Sequence, residues 1–240
     1  MGCILLEGGS EFGGRMSAPD LRAIELAGGC DAPVGILPTA AAPDHNHKRA
    51  GKNGVRWFQN LGAKNVFVVD AIDSASANDS SLAASIRNSR LIYLLGGFPR
   101  YLAETLANSL CWQATLDAYK EGAVIAGSSA GAMVLCEQYY DPDEKKLLNG
   151  LNLIPNACVL PHHNNFGKAW ANQLLRLLPD STLIGIDEET GIINDSSNGE
   201  WRVYGAGEVA IYRGKEIKVY SQGETVASLM TSVGIADKEI

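Results

Sequence analysis

Long hydrophobic runs are missing from the 240-residue sequence. None approaches the roughly 18 apolar residues of a membrane span, so no membrane partner is expected. Basic runs are missing too. Lys and Arg number 20 against 27 Asp and Glu, the formal net charge is -7, and basic neighbours stop at pairs such as Lys48-Arg49 and Lys145-Lys146. Without a basic stripe there is no electrostatic footprint for nucleic acid. The five cysteines, at 3, 30, 111, 136 and 158, are odd in number and never spaced Cys-x-x-Cys. Neither a disulfide framework nor a zinc knuckle is signalled, and reduced thiols in a cytoplasmic protein are expected. No basic n-region and apolar h-region precede Glu7, so no secretory leader is expected. Leu6 stands where a myristoylation signal after Met1-Gly2 requires Ser or Thr. No repeat, Pro-rich linker or long charge block divides the chain, which predicts one domain over residues 1–240.

Short apolar runs are present instead, at Cys3 to Leu6, Pro33 to Leu37, Asn65 to Val69, Leu91 to Leu95 and Ala123 to Ala126. They alternate with segments of helical character: Ala18 to Ala27, Arg49 to Leu61, Ser80 to Ser89, Arg100 to Asn108, Trp112 to Glu121, Ala130 to Gln138 and Gly167 to Leu178. Continuously apolar strands separated by helices are the pattern of a parallel sheet buried on both faces. Beyond Gly205 the segments Glu208 to Tyr212 and Ile217 to Ser221 flank Arg213-Gly214-Lys215, which predicts a hairpin closing the sheet with an antiparallel edge. The expected fold is α/β: a mostly parallel sheet, helices on both faces, and a C-terminal antiparallel hairpin.

The strongest local punctuation is Gly127-Ser-Ser-Ala-Gly131, between an apolar strand and a helical run. Gly-x-Ser-x-Gly in that context sets its central serine on a tight strand-to-helix turn over the sheet's carboxyl edge. Ser129 is therefore the expected nucleophile. The Ala130 N–H, at the start of the helix, is the natural donor to a developing oxyanion. A helix cap at Ser128 or Ser129 is the plainer alternative. A serine hydroxyl needs a base, and the four histidines are at 45, 47, 162 and 163. His162 and His163 follow the run Ala157 to Leu160, where a parallel sheet collects its site, and neighbours in an extended segment point oppositely. His45 and His47 have the spacing of a metal pair but no further ligand cluster, which predicts a solvated loop and no metal or other cofactor. The orienting carboxylate could come from Asp187, Glu188 or Glu189 after the strand Thr182 to Ile186, or from Asp141, Asp143 or Glu144 in a turn. Leu95-Gly96-Gly97 ends the fourth strand with a glycine pair able to bring a backbone N–H against a substrate oxygen.

Taken together, the segments Leu6-Glu-Gly-Gly9, Ile36-Leu-Pro-Thr39, Leu95-Gly-Gly97, Gly127 to Ala132, Leu160-Pro-His162, Gly185-Ile-Asp-Glu188 and Val203 to Gly207 resemble the cyanophycinase and peptidase E family of serine peptidases. That family is built on a class I glutamine-amidotransferase-like sheet. The resemblance implies Ser129 as nucleophile, His162 as general base, Glu188 as its orienting partner, and Gly97 and Ala130 as the oxyanion hole. It also implies a small peptide as substrate, cut through an acyl-enzyme at aspartyl or isoaspartyl bonds, and allows a homodimer as the other partner. Where cyanophycinases place several arginines after the histidine, this chain keeps Lys168, the expected contact for a substrate carboxylate. The alternatives are a non-catalytic binding or regulatory module on the same fold, and another serine hydrolase such as an esterase.

Overall fold

The computed structural model describes residues 1–196, 198–226 and 229, so the end of the expected 1–240 unit lies outside the described residues. In chain order the elements are β1 (Ile4–Glu7), α1 (Ser17–Leu26), β2 (Pro33–Leu37), α2 (His47–Asn60), β3 (Asn65–Val68), α3 (Ser74–Ala77), α4 (Ser80–Arg87), β4 (Leu91–Leu94), α5 (Pro99–Leu106), α6 (Leu110–Lys120) and β5 (Val124–Ser128). There follow α7 (Ala130–Leu135), β6 (Gln138–Asp141), β7 (Lys146–Asn149), β8 (Ala157–Leu160), α8 (Ala171–Leu177), β9 (Thr182–Ile186), β10 (Thr190–Ile193), β11 (Trp201–Gly205), β12 (Val209–Arg213), β13 (Glu216–Tyr220) and β14 (Thr225–Val226).

The eight-stranded sheet has the order β14-β11-β10-β1-β5-β4-β2-β3. Its half from β1 to β3 is parallel, and β10, β11 and β14 extend it antiparallel. Alternate residues of the central strands feed opposite cores. Ile4, Leu6, Ile92, Leu94 and Ile125 pack with α4, α6 and α7. Leu5, Leu91, Tyr93, Val124 and Ala126 pack with α1 and α2. Burial on both faces is why these strands read as unbroken apolar runs.

The expected hairpin forms, but not in the main sheet. β12 and β13 join β9 and β8 in a second, four-stranded sheet with its own core around Leu160, Leu174, Leu183 and Tyr212. The helix expected over Ala130 to Gln138 stops at Leu135, because Cys136 is extended and Gln138 opens the β6–β7 hairpin. The helix expected from Gly167 begins as a 3₁₀ turn over Gly167–Trp170 and becomes α-helical only at Ala171. The short α3 was unanticipated and is held by reciprocal bonds between Asp73 and Ser76. The five cysteines are unpaired, as expected. No helix among the described residues is long and apolar enough to cross a membrane.

Two carboxyl groups sit within the core. Glu7, at the end of β1, and Asp20, on α1, are both fully buried. Tyr93 donates to Glu7 Oε2 and Trp57 Nε1 donates to Asp20 at 2.8 Å. Glu7 Oε1 and Asp20 Oδ1 have no hydrogen-bond partner, and two buried carboxyl groups that influence each other this strongly are expected to hold a proton between them. Burial raises both pKa values, Glu7 well above the usual carboxylate range and Asp20 to about 7; Trp57 and Glu7 act against the rise of Asp20. The folded state thus holds protons that the unfolded chain releases near pH 4. The pair's stabilisation is complete below that pH and is lost as pH rises through about 7. Asp20→Asn, which can donate to Glu7 and still accept from Trp57, should therefore gain on wild type as pH rises. We expect the wild-type minus variant difference in Tm to fall by several degrees between pH 5 and pH 8. A flat difference would show that the pair shares no proton.

Candidate active site

Ser129 is the residue between β5 and α7, and the turn that presents it is strained. Its backbone lies at φ 48° and ψ -110°, a region that L residues seldom occupy. The flanking glycines permit that turn. A Cβ on Gly127 would lie 2.5 Å from the Gly131 carbonyl carbon, and one on Gly131 2.2 Å from the Leu94 carbonyl oxygen. The backbone is tied down as well, since Ser129 N–H donates to the Glu7 carbonyl at 3.0 Å. Ser128, its neighbour, is fully buried.

His162 follows β8, also with positive φ (49°), and its N–H donates to the Gly8 carbonyl at 2.7 Å. Its Nε2 lies 3.0 Å from Ser129 Oγ and its Nδ1 2.7 Å from Glu188 Oε1. Phe166 stacks on the ring with centroids 4.9 Å apart. Gly9 covers it from another side, where any Cβ would come within 2.2 Å of His162 Cε1. Glu188 is held by its own N–H, which donates to Asn164 Oδ1 at 3.0 Å.

His163 points elsewhere. Its Nδ1 is 3.3 Å from Asp187 Oδ1 and its Nε2 2.7 Å from the Tyr212 hydroxyl. Burial depresses its pKa, Lys168 adds to that, and Asp187 opposes both. Adjacent histidines thus pair with adjacent carboxylates on opposite sides of one strand end. Asp141 ends β6, and its Oδ1 accepts the N–H groups of Asp143 and Glu144 in the turn that follows. Glu189 faces Arg15 at 3.7 Å.

The Gly96–Gly97 turn lies beside the serine. A Cβ on Gly96 would be 3.3 Å from Ser129 Cβ, and Gly97, at φ 139°, is pressed against the Ala40 carbonyl. Ala130 begins α7, so its N–H has no acceptor within the helix. A cleft of about 420 Å³ opens at the glycine pair, lined by Glu11, Phe12, Asp44, Asn46 and Arg49 among others. Lys168 lies in a different cavity of about 370 Å³, with His163, Asp187 and Tyr212. His45 is on the loop before α2, and His47 is the first residue of that helix. Among the described residues no group of three His, Cys, Asp or Glu is placed to hold a metal ion. Glu11, Asn164, Phe166 and Arg49 are site neighbours that sequence reasoning did not single out. Only the glycine-rich stretch Gly8 to Gly14 around Glu11 offered a signal.

A serine on a strained strand-to-helix turn, in line with an imidazole and a carboxylate, is the layout of the serine hydrolase class. The chain belongs to Peptidase family S51, whose family model matches residues 4–200. Cyanophycinase of Synechococcus elongatus is 28% identical over 210 residues, covering 80% of this chain and 62% of that protein, so the chain spans less than two thirds of that relative. Cyanophycinase of Geminocystis herdmanii is 28% identical over 217 residues, 84% of this chain and 76% of its own length. Among solved structures, a peptidase from an acI-B1 Actinobacterium superposes with a TM-score of 0.86 at 30% identity, covering 95% of this chain and 97% of its own. A Listeria monocytogenes structure named for peptidase E shares the fold, with a TM-score of 0.60 at 20% identity.

Proposed function

We propose that the chain is a serine peptidase acting on short peptides through Ser129, His162 and Glu188. The observation that carries this reading is the continuous line of 3.0 Å and 2.7 Å contacts from Ser129 Oγ through His162 to Glu188. Ser129 Oγ attacks the scissile carbonyl as His162 Nε2 takes its proton, and Glu188 holds the imidazole in the tautomer that can accept it. The N–H groups of Gly97 and Ala130 receive the oxyanion. His162 then returns the proton to the leaving amine, and water activated by the same imidazole releases the acyl group. A non-catalytic module would have no use for a strained serine aligned with a base. The test is a fluorophosphonate probe together with a dipeptide library that includes Asp-Xaa and β-Asp-Xaa members. Labelling at Ser129 with peptide turnover is expected; an unlabelled, inert protein overturns the reading, and turnover of esters alone favours an esterase.

The preference for aspartyl or isoaspartyl bonds belongs to the same reading. A substrate carboxylate needs a cation, and Arg49 lies in the cleft that contains Gly97, whereas Lys168 lies in the cavity beside His163. The cleft favours Arg49, whose planar fork can bind a carboxylate bidentately. Replacing Arg49 by Met should lower kcat/KM for acidic relative to neutral dipeptides by about 10- to 100-fold, the scale of a charged hydrogen bond. Lys168→Met should have the smaller effect on that ratio. The reverse ranking in matched kinetics would return the role to Lys168.

A further inference from the structure

We propose that Glu11 is a positioning residue that sets the spacing between the nucleophile turn and the Gly96–Gly97 turn; this rests on the serine peptidase reading of the site. The sequence between β1 and α1 runs Gly8-Gly-Ser-Glu-Phe-Gly-Gly14, and Glu11 is its one carboxylate. Its Oε1 accepts the Gly96 N–H at 2.8 Å and its Oε2 accepts the Ser128 hydroxyl at 3.3 Å. Each donor is one residue before a working group, Gly96 before Gly97 and Ser128 before Ser129. A single carboxylate therefore clips the turn after β4 to the end of β5, and the residues that follow its two donors, Gly97 and Ser129, must meet the same substrate carbonyl.

The surroundings hold Glu11 in that place. Ser10 and Phe12, on either side of it, adopt left-handed conformations at φ 60° and 64°, which persist only when other contacts impose them. Phe12 supplies one such contact by packing on Tyr93 and Trp57, with ring centroids at 5.8 and 6.4 Å. Gly96 leaves no slack, because a Cβ there would be 2.8 Å from Glu11 Oε1. Hydrogen bonds to an ionised acceptor are stronger than neutral ones, which suits a group that must fix two turns at once.

A negative charge near an oxyanion also has an unfavourable effect, and the two effects can be separated. If position dominates, Glu11→Ala lowers kcat by about 30- to 100-fold, the scale of a misaligned reactive geometry, with little change in KM. Glu11→Gln, which keeps an acceptor for Gly96 and a donor for Ser128, should restore kcat to within a few-fold of wild type. Affinity for a peptide boronate, which needs the aligned oxyanion donors, should fall with kcat in the Ala variant, while a non-hydrolysable peptide analogue keeps its Kd. An unchanged kcat in Glu11→Ala overturns the inference, as does a defect confined to KM, or a Gln variant as impaired as Ala. Should the Ala variant fail to fold, Glu11→Asp, whose shorter arm cannot span both donors, takes its place: kcat and boronate affinity falling together support the clip, and both unchanged overturn it. Wild-type protein that neither reacts with a fluorophosphonate nor turns over peptides fails earlier, at the peptidase reading, and takes this inference with it.

Discussion

Replacing Ser129 by Ala should abolish peptide turnover and fluorophosphonate labelling, with a fall in kcat of about four to six orders of magnitude. The hydroxyl is the only atom removed, and it is the one 3.0 Å from His162 Nε2. Alanine keeps the Cβ and therefore the backbone strain at φ 48°, so Tm should move by no more than a few degrees. Ser128→Ala is the control. Its hydroxyl reaches Glu11 across a long 3.3 Å contact and touches no triad member, so a loss of about tenfold or less is expected. Equal, complete loss in both variants, each well folded, would remove Ser129 from the nucleophile's position.

The second large effect separates two neighbouring acids. Glu188→Gln should lower kcat by about 10³- to 10⁴-fold, because an amide in place of the carboxylate no longer enforces the tautomer that leaves His162 Nε2 able to accept a proton. Asp187→Asn should act on stability instead. Asp187 accepts from the Glu208 N–H at 3.0 Å and sits 3.3 Å from His163 Nδ1, and through these contacts it joins the end of β9 to the start of β12. Loss of a partly buried charged acceptor there costs about 1–3 kcal/mol, read as a lower Tm, while kcat stays within several-fold. A collapse of kcat in Asp187→Asn with activity retained in Glu188→Gln would transfer the orienting role. Together the two variants test the choice of acid in a way that neither does alone.

The parts of the site legible in the sequence are those encoded locally. Gly127-Ser-Ser-Ala-Gly131 is a complete instruction for its own turn, since a Cβ on Gly127 or Gly131 would come within 2.5 or 2.2 Å of backbone atoms and no other side chain fits. Ala157 to Leu160 and Thr182 to Ile186 are each followed by polar residues, which narrows the base to His162 or His163 and the carboxylate to Asp187, Glu188 or Glu189; the choice of His162 and Glu188 among them rests on the family resemblance and not on local pattern. Glu11 was not, because its partners are 85 and 117 residues away and no short pattern links them. The second sheet escaped for a related reason: apolar alternation says that β9 pairs, not that its neighbours are β8 and β12. Lys168 is placed by resemblance to the arginines that cyanophycinases carry after the histidine, and in the structure it lines the cavity that holds His163.

The place of β1 bears on how the protein is made. The first strand lies in the middle of the large sheet, paired with β5 on one edge and with β10 on the other, where Leu5 meets Ile193. Its carbonyls at Glu7 and Gly8 receive the N–H groups of Ser129 and His162. During synthesis, residues 4 to 7 emerge well before their partner and acquire β5 only after some 120 more have been added, as the Ile4–Ile125 register shows. At about 5–20 residues per second, β1 then keeps one open edge for several seconds more, until β10 leaves the ribosome. That edge is built on Ile4-Leu5-Leu6, an apolar stretch of the kind that invites pairing with another chain. The nascent protein thus exposes a strand edge that favours aggregation over the same interval before residue 188, the proposed orienting carboxylate, is available.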